Sequence, residues 1–113
     1  MSSLRSMSED DKKNHLANLF ATLTNKNMVV AHVVMNPEDW FLARGIPNIF
    51  SHETRKNRFE KGSCAWLWGA YVWIDKSAKE IIAYGDQRFS ELEKDFPELA
   101  KNIKELEKED TND

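Results

Sequence analysis

The stretch Lys61-Gly62-Ser63-Cys64-Ala65-Trp66-Leu67-Trp68-Gly69-Ala70-Tyr71-Val72-Trp73-Ile74-Asp75 decides how this chain folds. Its eleven central residues, Cys64 to Ile74, carry no charge and hold three of the four tryptophans. A β-branched and aromatic run with charges only at its ends predicts a strand, and the glycine within it predicts a bulge at Gly69. In a regular strand Trp66, Trp68, Ala70, Val72 and Ile74 share one face, and Ala65, Leu67, Tyr71 and Trp73 share the other. Both faces are apolar, so both must be covered by the rest of the chain or by another molecule.

Downstream, Lys76-Ser77-Ala78-Lys79 reads as a hairpin turn and Glu80-Ile81-Ile82-Ala83-Tyr84 as the returning strand. From Asp86 the period turns helical. Phe89, Leu92, Phe96, Leu99, Ile103 and Leu106 form one stripe, which Pro97 kinks or restarts, and Glu107 to Asp113 is a charged tail.

Upstream, Ser51-His52-Glu53-Thr54 starts a helix whose basic residues Arg55, Lys56, Arg58 and Lys61 gather towards its end, with Gly62 as the C′ residue. Asn36-Pro37-Glu38-Asp39 starts a short helix carrying Trp40, Phe41 and Leu42 that stops near Gly45. Met28 to Met35 is β-prone and apolar on both faces apart from His32, the pattern of a central strand. Ser8 caps a first helix with Leu16, Leu19, Phe20 and Leu23 on one stripe. The expected fold is therefore α+β: a small, largely antiparallel sheet with strands near 28–35, 64–75 and 80–84, helices packed on it and an acidic C-terminal helix. Residues 1–7 read as a disordered lead-in, 8–106 as a single domain and 107–113 as the charged tail.

The 113 residues allow one domain. The net charge of −3 is uneven: residues 1–85 hold 11 Lys and Arg against 9 Asp and Glu, and residues 86–113 hold 5 against 10. With no broad basic footprint, nucleic acid is not expected as the main partner. A single cysteine makes no internal disulfide, the N-terminal residues lack the apolar core of a secretory signal, and no run approaches the roughly 20 apolar residues of a spanning helix. A cytoplasmic protein without a membrane partner is the expectation.

Cys64 with His32 or His52 supplies the residue types of a nucleophile and base, but no oxyanion-hole signature or third orienting group accompanies them. His15, His32 and His52 do not fall at zinc-motif spacing, and the four glycines are isolated. No enzyme, cofactor or metal is expected. Trp66, Trp68, Tyr71 and Trp73 instead offer more aromatic area than a small core readily hides, and such residues are favoured anchors of protein contacts. At least two of them are expected to pack in the core, and one or more to anchor a protein contact, which makes them the first candidates for a binding surface, with Trp40 and the cluster Arg55, Lys56, Arg58 and Lys61 second.

Val-Val-Met-Asn-Pro-Glu-Asp-Trp at 33–40, Ile-Phe-Ser-His-Glu-Thr-Arg at 49–55, Lys-Gly at 61–62, Leu-Trp-Gly-Ala at 67–70 and Val-Trp-Ile-Asp at 72–75 follow one another in an order that resembles the C-terminal part of tailed-phage major capsid proteins, the fold also used by encapsulin nanocompartments. The resemblance spans about residues 16–85. It lacks the long N-terminal arm, extended hairpin loop and spine helix of that family, so it implies a reduced or repurposed capsid-like domain. By that resemblance the function is structural: a phage-related domain that binds other protein subunits, its own copies or a capsid or host protein. The alternative is a small phage- or mobile-element-encoded inhibitor of a host defence or nucleic-acid enzyme, with the acidic tail imitating nucleic-acid charge.

Overall fold

The structure is a computed structural model that describes residues 4–51 and 63–111. The helix expected over 51–62, with its cluster Arg55, Lys56, Arg58 and Lys61 and with His52, lies outside the described residues.

In chain order the elements are α1 (Glu9–Thr24), β1 (Val30–Met35), α2 (Pro37–Ala43), β2 (Phe50–Ser51), β3 (Ser63–Leu67), β4 (Ala70–Ile74), β5 (Ile82–Gly85), α3 (Phe89–Asp95) and α4 (Pro97–Thr111). The strands form one mixed sheet in the order β2-β3-β4-β1-β5. Only β1 and β4 pair in parallel; the other three pairings are antiparallel. The α+β class with a largely antiparallel sheet is as expected, and β1 is a central strand.

The helix starts follow their capping residues. Ser8 Oγ accepts the Asp11 amide at 3.2 Å, and Glu9, Asp10 and Asp11 occupy the first turn of α1. Asn36 Oδ1 accepts the Asp39 amide at 2.8 Å, with Pro37 in the first turn of α2. The lead-in differs from expectation. Leu4 is wholly buried and its carbonyl accepts the Met7 amide, so the chain is tied down from Leu4 onward. At the other end the helix passes the expected limit at 106 and runs to Thr111.

The tryptophan stretch is the main correction. It is two strands, β3 and β4, folded into a hairpin whose closing pair is Leu67 and Ala70. Trp68 (φ 48°) and Gly69 (φ 90°) form the turn, both at positive φ as in a type I′ hairpin. The glycine thus marks a reversal of the chain, and the register shift lies instead between Ser63 and Ala65. Folding back changes which residues share a face. Ala65, Leu67, Ala70, Val72 and Ile74 point to one side, whereas Trp66 pairs with Tyr71 and joins Trp73 on the other.

A second correction concerns the return strand. β5 does not pair with β4, because β1 lies between them. The connection after Ile74 crosses the end of β1, where Asn36 Nδ2 donates to the Ala78 carbonyl at 3.1 Å and the Asp75 amide donates to the Met35 carbonyl. Asn36 therefore holds the start of α2 and the crossing together.

Both sheet faces are covered by the chain itself. Leu16, Leu19, Phe20 and Leu23 of α1 and Trp40, Leu42 and Ala43 of α2 pack with Val33, Met35, Leu67, Ala70 and Val72. On the opposite face Leu92, Phe96, Leu99, Ala100 and Ile103 cover Val34, Trp73 and Tyr84. Pro97 breaks the C-terminal stripe into α3 and α4, which both contribute to that layer.

Candidate functional site

The hairpin brings Trp66, Tyr71 and Trp73, expected on opposite faces of one strand, to the same face of the sheet and leaves Trp68 at the turn, while Trp40 belongs to α2. Trp73 is wholly buried, and its indole Nε1 donates to His32 Nδ1 at 3.0 Å. The indole is only a donor, so His32 Nδ1 carries no proton in this arrangement. Tyr71, Trp73 and Phe89 surround the His32 ring with centroids 5.8–6.2 Å away. Trp73 is thus a core residue with its polar atom satisfied, and it offers no surface to a partner. Trp66 and Tyr71 are half-buried against each other at 5.8 Å on the same face. Trp40 is half-buried, edge-on to Phe50 at 5.3 Å, under α2.

Trp68 is placed differently. Three non-glycine residues among those described have positive φ: Asn27, Asn48 and Trp68. Asparagine enters the left-handed region readily, whereas a bulky side chain there is strained by about 1–2 kcal/mol. The Trp68 indole stands at the turn, 44% exposed, and lies perpendicular to the Phe20 ring of α1 with centroids 5.1 Å apart.

The topology places one other exposed apolar residue, Val29, at the same end. β1, β4 and β2 run in one direction and begin at Val30, Ala70 and Phe50. That end of the sheet therefore takes the chain leaving α1 and the β3–β4 turn. Val29 (69% exposed) precedes β1 there, and Phe41 (63% exposed) lies on the outer side of α2. With Trp68 they are the large exposed hydrophobic residues among those described. The guanidinium of Arg44 sits 4.8 Å from the Phe41 ring centroid, a cation–π pair on the surface.

Phe41 and Val29 were missed as surface residues in the sequence, although Phe41 left a signal. Trp40, Phe41 and Leu42 are consecutive, and residues 100° apart on a helix cannot all face one sheet. Val29 left none, because it belongs to an unbroken β-prone run.

Other polar features serve the fold. Tyr84 is buried and its hydroxyl donates to Asp95 Oδ2 at 2.7 Å, tying β5 to α3. Burial, and then the Asp95 carboxylate, push the Tyr84 hydroxyl well above its ordinary pKa. Asp39 is wholly buried in the first turn of α2, where its amide donates to the Asn36 cap. Among the described residues no three His, Cys, Asp or Glu side chains converge on a metal position, and no helix is long and apolar enough to cross a membrane.

Comparison with known proteins finds no match among family models, curated proteins or solved structures.

Proposed function

We propose that this chain is a non-enzymatic protein-interaction domain that binds other protein subunits through the sheet end carrying Val29 and Trp68. The observation that carries the reading is Trp68. A turn of this type favours asparagine or glycine at both central positions. Here a tryptophan occupies the left-handed position, and its ring stays exposed instead of completing the core. An exposed aromatic fixed by its backbone loses little conformational freedom on binding, and aromatic and arginine side chains dominate protein contacts. Phe41 with Arg44 shows the same chemistry on the exposed side of α2. The order of its sequence segments resembles a capsid-like lineage, reduced or repurposed, and a subunit that assembles with other subunits needs such a surface.

The experiment is light scattering of the wild type and Trp68→Asn over a concentration series at two salt levels. Association with other copies that Trp68→Asn removes, with the circular dichroism spectrum retained, supports the reading. Association unchanged in Trp68→Asn places the contact elsewhere and overturns it.

A further inference from the structure

We draw no further inference here: the strongest candidate, the apolar end of the sheet at Val29 and Trp68, already carries the proposed contact, and nothing in the structure shows what covers it.

Discussion

Replacing Trp73 with phenylalanine keeps an aromatic ring between β4 and α3 but removes the indole N–H that His32 Nδ1 accepts at 3.0 Å. His32 is itself buried, so its Nδ1 loses this donor away from water. Leaving a buried acceptor without its donor costs about 1–3 kcal/mol. The smaller ring leaves a void in a wholly buried site, adding about 1 kcal/mol. Trp73→Phe is therefore expected to destabilise the fold by about 2–4 kcal/mol, a large share of the roughly 5–15 kcal/mol of a typical domain. His32→Leu strands the indole N–H in the same way and is expected to cost about 1–3 kcal/mol. In the double variant neither polar atom remains, so its loss should fall short of the sum of the two by about 1–2 kcal/mol. Urea unfolding followed by far-ultraviolet circular dichroism measures all four proteins. Additivity within about 0.5 kcal/mol would refute the reasoning, because it would mean that the two side chains do not depend on each other.

The left-handed turn predicts an order of stability: Trp68→Asn and Trp68→Ala both lose the Phe20 contact, but only asparagine relieves the backbone strain, so it should be more stable than alanine by about 1 kcal/mol. Equal denaturation midpoints would show that Trp68 is not strained. Asn36→Ala removes both the α2 cap and the bond to the Ala78 carbonyl, with an expected loss of about 2 kcal/mol in thermal or urea unfolding, where an isolated cap gives about 1. Tyr84 titrates higher in the folded than in the unfolded chain, so its contribution is fully present below the unfolded value near pH 10 and is lost as pH rises above it. Tyr84→Phe should therefore lose stability less steeply than the wild type between about pH 10 and pH 11.5, and identical slopes would count against the assignment.

Much of this fold is legible in the residues because local signals and burial agree. Ser8 and Asn36 cap helices where side-chain oxygens can take up free amides, and the 16–23 stripe faces the sheet as its spacing demands. The tryptophan stretch was not legible as a hairpin because its turn lacks the usual polar residues. Trp68 in place of asparagine hides the reversal, and a long apolar run fits one buried strand as well as two. The strand order was hidden for another reason. A short connection after Ile74 suggests adjacent strands, whereas its position over β1 depends on Asn36, 42 residues away from Ala78. The candidate site follows the same division. Trp68 was among the residues expected at a surface, but parity only put it on the face opposite Trp73, and with both faces apolar it could not tell that Trp73 is the one buried.

The most direct test of the account is the solution mass of the purified protein as concentration rises, measured beside Trp68→Asn. The account predicts a concentration-dependent rise in mass for the wild type that is absent in Trp68→Asn at equal helix and strand content. A wild type that stays monomeric throughout would contradict self-assembly, and association that persists in Trp68→Asn would contradict the assignment of the contact to the exposed indole.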